Sequence, residues 1–189
     1  MSHPSRFRRS LCALALGAAV LSPAHAERII RMVVPFGPGA VQDVIARTFN
    51  AELGRVLDAT VIVENRPGAG GSVGTGQVAK SAPDGNTLVL AAASHTLAGH
   101  LYAKLGYDPI KDFVGVGLVG YVGYVIAVPS NLGVNTLAEY VRLLKSKPGQ
   151  TNYASAGNGS ATHLGMASFL SKVGAEMQHL PMHSTGDAH

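Results

Sequence analysis

The stretch Ile29-Ile30-Arg31-Met32-Val33-Val34-Pro35-Phe36-Gly37-Pro38-Gly39 indicates the fold class of this 189-residue chain. Its β-branched first half, stopped by Pro35, predicts a strand, and the glycines and proline that follow predict a loop. From Val41 onward, apolar residues recur at the spacing of one helical face. The stretch is therefore interpreted as a strand, a glycine-rich loop and the start of a helix.

The same order of elements repeats downstream. Residues 60–63 predict a second strand, residues 65–71 a glycine-rich loop, residues 73–80 a short helix and residues 87–91 a third strand. Strands that alternate with helices favour a mostly parallel sheet with helices on its faces. The predicted fold class is therefore α/β.

A crossover segment and a further helix follow. Apolar residues 114–121 and 124–128 predict two crossover strands, each bounded by glycine. Thr136, with Glu139 three residues later, matches a capping box and predicts that a helix starts there.

The last part of the chain repeats the strand, loop and helix order. Residues 152–154 predict a strand, residues 155–160 a third glycine-rich loop, and Ala161 the start of another helix. Residues 177–181 predict a final strand.

Composition excludes several classes of protein. Hydrophobic residues make up 47% of the chain, charged residues make up 14%, and there is one cysteine. These values exclude a disulfide-rich scaffold, a cysteine-based zinc module and a charge-rich disordered chain.

Residues 1–26 have the order of a secretory signal. Three arginines precede an apolar run at residues 11–21, and Ala24-His25-Ala26 fits a cleavage site. The run is too short for a membrane anchor, and Cys12 stands at the wrong end of it for lipidation. Arg8-Arg9 leaves twin-arginine export open beside general secretion. We expect secretion.

The net charge of +4 belongs mostly to that signal. Three of the 15 basic residues lie within residues 1–26, so 12 basic residues face 11 acidic ones in the rest of the chain. A nucleic-acid partner needs a basic face, and we therefore expect no such partner.

The three glycine-rich loops share one design. Those at residues 36–40, 65–71 and 155–160 each follow a strand and lie at or near the start of a helix. A helix N-terminus offers unpaired N–H groups and a partial positive charge, so such loops bind carboxylate or phosphate without a lysine. In an open parallel sheet, ligands sit at these strand ends. A tight turn is the simpler explanation of one loop alone, whereas three together favour a site.

A nucleotide-dependent enzyme is an alternative that the sequence context disfavours. Gly74-Thr75-Gly76-Gln77-Val78-Ala79 matches a dinucleotide fingerprint, but it does not directly follow a strand, and no phosphate-loop lysine follows it. Hydrolase motifs are also absent, and histidine spacing predicts no metal site. We therefore predict no catalytic residue and no cofactor. His95 and His163 lie in or beside small-residue loops, where each has either a packing role or a polar ligand.

Five motifs together resemble one known family. They are the stretch from Val34 to Gly39 with Asp43, residues 63–71, residues 82–88, residues 107–113, and residues 152–159. In kind and order they resemble the periplasmic solute-binding receptors of tripartite tricarboxylate transporters, also called the Bug or TctC-like family. The resemblance covers the chain from about residue 28 to residue 181.

The resemblance implies a two-lobed periplasmic binding protein of type II, the Venus-flytrap kind. Such a receptor captures a small carboxylate between its lobes and delivers it to membrane transporter subunits. In that family the ligand is a dicarboxylate, a tricarboxylate, an aromatic acid or an amino acid, and it is held mainly by backbone groups and waters. A monomer that performs no chemistry is expected.

The same resemblance assigns candidate ligand-binding residues, position by position. The first lobe contributes Pro35, Phe36, Gly37, Pro38, Gly39, Ala40, Ser94 and His95. The second lobe contributes Gly157, Asn158, Gly159, Ser160, Thr162 and His163. We expect residues 27–120 to form the first lobe and residues 121–189 to form the crossover and part of the second, with a hinge near residues 119–127.

The chain departs from the family pattern in three ways. Ala40 and Gln42 replace a glycine and a small residue, which predicts a strained or narrowed first loop. Residues 181–184, Pro-Met-His-Ser, stand where Pro-Tyr-Lys-Gly is usual. Family members are also nearly twice as long, so we expect a truncated receptor with an incomplete second lobe and impaired binding. A non-functional remnant is the alternative.

Overall fold

The computed structural model describes residues 27–188. The predicted export signal, residues 1–26, lies outside that part of the chain. Within residues 27–188, no helix combines the length and the apolar character that a membrane span requires.

A three-stranded parallel sheet forms the first part of the fold. β1 (Ile29–Val34) is its central strand, with β2 (Thr60–Asn65) on one side and β3 (Thr87–Val89) on the other. α1 (Val41–Leu57) connects β1 to β2, and α2 (Ser72–Ala79) precedes β3. The predicted strands, helices and parallel arrangement are confirmed for this part.

Burial explains why β1 is central. Ile30, Met32, Val33 and Val34 are all nearly inaccessible to solvent, so both faces of this strand are covered. Ala46 of α1 packs into the same core. A strand buried on both faces is typical of a parallel sheet with helices against it.

The chain leaves β3 through short helical turns. A 3₁₀ turn (Ala93–Leu97) leads directly into α3 (Ala98–Leu101). We refer to residues 29–102, which include Tyr102 at the end of α3, as the first subdomain.

A smaller α/β unit follows, and we refer to residues 137–181 as the second subdomain. It comprises α4 (Leu137–Ser146), β4 (Asn152–Ser155), α5 (Ala161–Val173) and β5 (Gln178–Pro181). β4 and β5 pair in parallel, which again fits the predicted alternation.

The start of α4 and the core beneath it match the sequence pattern. Thr136 Oγ1 accepts a hydrogen bond from Glu139 N at 3.2 Å, which confirms the predicted cap. Tyr140 and Leu144 from α4 pack with Leu170 from α5 to form a second hydrophobic core.

The two predicted crossover strands are wrong. Residues 114–129 form neither helix nor strand, and the side chains of Val114, Tyr121 and Val125 are 90%, 91% and 91% exposed. A strand needs a neighbour to accept and donate its backbone hydrogen bonds. Within residues 27–188, no strand pairs with this segment, so its apolar pattern alone does not make it one.

Candidate functional site

The starts of two helices meet at one cleft. Ala40, Val41 and Gln42 line it from α1, and Ser160, Ala161 and Thr162 line it from α5. The cleft encloses about 390 Å³, its open mouth included. Because the first turn of a helix has N–H groups without intrahelical partners, the cleft has two sets of backbone donors.

The remaining lining is apolar or carries hydroxyl groups. It consists of Phe36, Ala92, Val122, Tyr124, Ala156 and Thr185. Val122 and Tyr124 belong to the irregular segment between the subdomains. No residue that lines the cleft within residues 27–188 carries a charged side chain.

The loop before α1 has ordinary backbone geometry at Ala40. This residue has φ −63° and ψ 155°, an extended conformation that any residue adopts, and it is almost fully buried. The strain predicted from alanine at this position is therefore absent. Gly39, with φ 77°, takes the left-handed conformation instead.

Asp43 holds this loop in place. Its carboxylate accepts hydrogen bonds from Gly39 N (3.0 Å), Asn65 Nδ2 (2.9 Å) and Arg47 Nε (2.9 Å). Asn65 Nδ2 also donates to the carbonyl of Phe36 at 3.1 Å. Burial acts to raise the pKa of Asp43, but the bonds from Gly39, Asn65 and Arg47 outweigh it, and the pKa is lowered. The side chain is therefore a buried anion that fixes the loop.

The loop before α5 contains two glycines in the left-handed region, Gly157 (φ 103°) and Gly159 (φ 75°). Ser160 caps α5, because its Oγ accepts a hydrogen bond from His163 N at 3.2 Å. Thr162 Oγ1 accepts from Ala156 N at 3.0 Å. Neutral hydroxyl groups therefore hold this loop.

Two stacked histidines support the same loop. His163 Nδ1 accepts a hydrogen bond from Gly159 N at 3.1 Å, so its ring is neutral with the proton on Nε2. The rings of His163 and His179 stack 4.1 Å apart, and His179 Nε2 is hydrogen-bonded to Ser155 Oγ at 2.6 Å. Burial lowers the pKa of both histidines, and electrostatic repulsion from His163 lowers the pKa of His179 further.

The match to known families covers most of the chain. Residues 45–189 match the model of the tripartite tricarboxylate transporter family receptor, TctC. The chain belongs to this family. The family resemblance found in the sequence is thereby confirmed.

Two curated relatives of this TctC-family chain come from Bordetella pertussis. One, described as a UPF0065 protein, is 35% identical over 190 residues, which cover 98% of this chain and 58% of the relative. The other, protein BugT, is 36% identical over 175 residues, covering 92% and 54%. The chain thus spans little more than half the length of these relatives.

Solved structures share the fold of this TctC-family chain. The periplasmic binding protein BugD has a TM-score of 0.76 at 32% identity, with 86% of this chain and 54% of BugD covered. MatC from Rhodopseudomonas palustris, solved with malate, has a TM-score of 0.76 at 30% identity, with 85% and 55% covered. An R. palustris protein solved with adipate has a TM-score of 0.74 at 28% identity, with 87% and 55% covered. The fold is that of an α/β periplasmic binding protein, present in part.

The structure distributes the predicted site residues of this TctC-family chain over distinct positions. The cleft is lined by Phe36, Ala40, Ser160 and Thr162. An adjacent recess is lined by Pro35, Phe36, Ser94, His95 and Gly159. Gly37 and Gly157 are buried at backbone contacts, whereas Pro38, Gly39 and Asn158 are exposed.

Ser94 and His95 serve packing in this structure. Ser94 Oγ donates to the carbonyl of Gly70 at 3.3 Å. His95 Nε2 is hydrogen-bonded to the carbonyl of Pro109 at 2.8 Å, and its ring lies edge-on to Phe113 at 5.0 Å. Neither residue lines the cleft, and both line the adjacent recess.

Sequence reasoning missed a contact between the first loop and the segment after β5. Gly37 N donates to the carbonyl of His183 at 3.2 Å, and a Cβ added at Gly37 would lie 3.2 Å from Ser184 Cβ. The next residue, Thr185, lines the cleft. The sequence did draw attention to this segment, because residues 181–184, Pro-Met-His-Ser, stand where the family usually has Pro-Tyr-Lys-Gly.

The glycines of the dinucleotide-like fingerprint lie inside α2 and serve close packing. A Cβ at Gly74 would lie 2.5 Å from the carbonyl oxygen of Arg66 and 3.1 Å from Pro35 Cα. A Cβ at Gly76 would lie 3.2 Å from the ring of Tyr107. These glycines therefore have a structural explanation that needs no nucleotide.

Proposed function

We propose that this chain is a periplasmic receptor that captures a small carboxylate and presents it to the membrane subunits of a tripartite tricarboxylate-type transporter. The observation that carries this proposal is the convergence of the starts of α1 and α5 on one cleft. Two sets of backbone donors at one cleft suit an anion better than a single helix end does.

The lining of the cleft favours a carboxylate with an apolar body. First-turn N–H groups supply hydrogen-bond donors without charged side chains. Ser160 and Thr162 add one more, because their hydroxyls are hydrogen-bonded to each other at 3.1 Å and one hydroxyl proton is left for a ligand. Phe36 and Val122 supply apolar surface against which a carbon chain packs. Uncharged donors bind one or two carboxylates, so dicarboxylates, tricarboxylates, aromatic acids and amino acids all fall within the proposal.

The relatives support this ligand class. One structural neighbour is described with bound malate and another with adipate, and both ligands are dicarboxylates. Because the present chain spans little more than half of each neighbour, its own ligand remains part of the proposal.

We also propose that the chain is exported, that its two lobes move relative to each other, and that it catalyses no reaction. Residues 1–26 direct secretion, residues 27–120 and 121–189 belong to two lobes, and the hinge lies near residues 119–127. Tyr124, within that hinge, lines the cleft, so closure brings it toward the ligand. The receptor acts as a monomer that binds and releases its ligand unchanged.

Isothermal titration calorimetry on the full chain tests this function. The panel contains malate, adipate, citrate, benzoate and aspartate, with NAD and ATP as nucleotide probes. Gln42→Glu adds a carboxylate at the cleft with the same side-chain shape, and acidic residues suit the first turn of a helix, so folding is preserved. Gln77→Glu is the matched control, since Gln77 is exposed on α2.

We expect at least one carboxylate to bind, and Gln42→Glu to weaken its affinity by a factor of about ten or more, because two like charges meet in one cleft. Gln77→Glu should bind as the wild type does. A folded chain that binds none of the carboxylates would contradict the proposal and favour a non-functional remnant, and binding of NAD or ATP alone would favour the nucleotide alternative.

A further inference from the structure

The loop that starts α5 fits closely against two residues of the first subdomain. A Cβ added at Gly70 would lie 2.8 Å from both the carbonyl carbon of Gly159 and the nitrogen of Ser160. A Cβ added at Gly159 would lie 2.6 Å from the hydroxyl oxygen of Tyr102. Side-chain Cβ atoms do not approach other atoms this closely, so the fit requires glycine at both positions.

A hydrogen bond joins the two subdomains at the same place. Tyr102 Oη donates to the carbonyl oxygen of Asn158 at 2.6 Å, across 56 residues of sequence. Gly70 is held in turn, because Ser94 Oγ donates to its carbonyl at 3.3 Å. The first subdomain therefore contacts residues 158–160 at two points. One is the close packing at Gly70, and the other is the hydrogen bond from Tyr102.

We propose that Tyr102 and Gly70 form a latch that positions the start of α5 at the ligand cleft. Both lie outside the residues that line the cleft, so they act through residues 158–160. The role of the latch in binding rests on the proposed function, since it requires that the cleft takes the ligand.

The latch acts through the cap of α5. Ser160 is both the last residue in contact with Gly70 and the N-cap of the helix, and its hydroxyl lies where the cleft begins. A shift of residues 158–160 therefore moves the first-turn N–H groups relative to α1. Loss of the latch should speed ligand release more than it slows capture, because release requires only that one set of donors moves away.

Two substitutions remove the latch, and each has a matched control. Tyr102→Phe keeps the ring and removes the hydroxyl, whereas Tyr140→Phe makes the same change in the second hydrophobic core, where the hydroxyl contacts Met177 Sδ at 3.5 Å. Gly70→Ala adds a clash with Gly159 and backbone strain at φ 60°. Gly133→Ala adds similar strain at φ 72°, but nothing lies within 4 Å of its new Cβ.

The first measurement needs no ligand. Spin labels at Lys80→Cys and Lys172→Cys, both exposed, report the distance between α2 and α5 in a Cys12→Ser background. Pulsed electron paramagnetic resonance should show a broader and longer distance distribution for Tyr102→Phe and Gly70→Ala, and an unchanged one for Tyr140→Phe and Gly133→Ala. A distribution for Tyr102→Phe that equals the wild-type one would overturn the latch.

The second measurement is malate dissociation, followed by NMR line shapes during titration. Tyr102→Phe should raise the dissociation rate about three- to tenfold, the effect of losing one hydrogen bond. Equal rates for Tyr102→Phe and the wild type would overturn the positioning role. If none of the carboxylates in the calorimetric panel binds to the wild type and the label distances still shift, the proposed carboxylate function fails while the contact between the subdomains stands.

Discussion

The two loops that meet at the cleft are held in place by different chemistry. The loop before α1 depends on one buried carboxylate, Asp43, and the groups that donate to it. The loop before α5 depends on hydroxyl groups and the neutral ring of His163. A loop can therefore present its backbone N–H groups to an anion with or without a supporting charge, and the two kinds of support differ in their response to acid.

The pKa shifts separate the two responses. The pKa of Asp43 is lowered, so its contribution to stability is present above the ordinary value of 3.8 and is lost as the pH falls below it. The pKa values of His163 and His179 are also lowered, so their neutral forms stabilise the fold above 6.5, and that contribution is lost as the pH falls from there. Between pH 6.5 and pH 3.8, a fall in pH therefore weakens the support of the loop before α5 and leaves that of the loop before α1 unchanged.

The largest effect is expected at the charged loop. Asp43→Asn keeps the shape of the side chain but removes the anion, which leaves Arg47 unpaired and weakens the bond from Gly39 N. We expect the free energy of unfolding to fall by about 2–3 kcal/mol, toward the lower range for buried ion pairs because Arg47 is half exposed. Urea denaturation measures this change. The slope of the unfolding free energy against urea concentration should be the same for the variant and the wild type.

Asp58→Asn serves as the control for that substitution. Asp58 is exposed at the end of α1 with φ 48°, a conformation that asparagine also tolerates. Its effect should stay within about 0.5 kcal/mol. If Asp43→Asn is no more destabilising than Asp58→Asn, the charged support of the first loop is refuted.

A smaller effect is expected at the histidine pair, because both rings remain partly exposed. The free energy of unfolding of the wild type should decline as the pH is lowered from 7 to 5, where protonation of His163 removes the acceptor for Gly159 N. The double variant His163→Gln with His179→Gln should show a flatter profile over this interval. Between pH 7 and 5, the unfolding free energy of Asp43→Asn should change with pH as it does in the wild type. This result would distinguish the carboxylate support of the first loop from the histidine support of the second.

His100→Gln is the control for the pH profile, since His100 is exposed on α3. It should retain the wild-type decline. A wild-type profile that is flat from pH 7 to 5, or one that His100→Gln flattens as much as the double variant does, would argue against the neutral histidine support.

Local patterns predicted most elements of the fold. The run at β1, the stop at Pro35 and the helical spacing after Val41 are each decided by neighbours in sequence, and the structure contains them. The irregular residues 114–129 show where such patterns fail. Their apolar side chains are compatible with a strand, but pairing is a long-range property that no local pattern encodes.

The candidate site was likewise predictable where it depends on local sequence, and not where it depends on contacts between distant segments. Helix starts follow from local sequence, so the positions of Ala40 and Ser160 just before α1 and α5 were predictable. Gly70 was part of a recognised glycine-rich loop, but its contact with Gly159 depends on how two distant segments pack. Tyr102 had no local signal, because its partner lies 56 residues away.

The central claim is that one carboxylate engages both loops at once. Backbone ¹⁵N NMR of the full chain during titration with malate tests it directly. We predict that the amide resonances of Val41 and Gln42 and those of Ala161 and Thr162 shift together, with one shared saturation curve. Malate binding that shifts only one of these helix starts, or neither, would contradict the account.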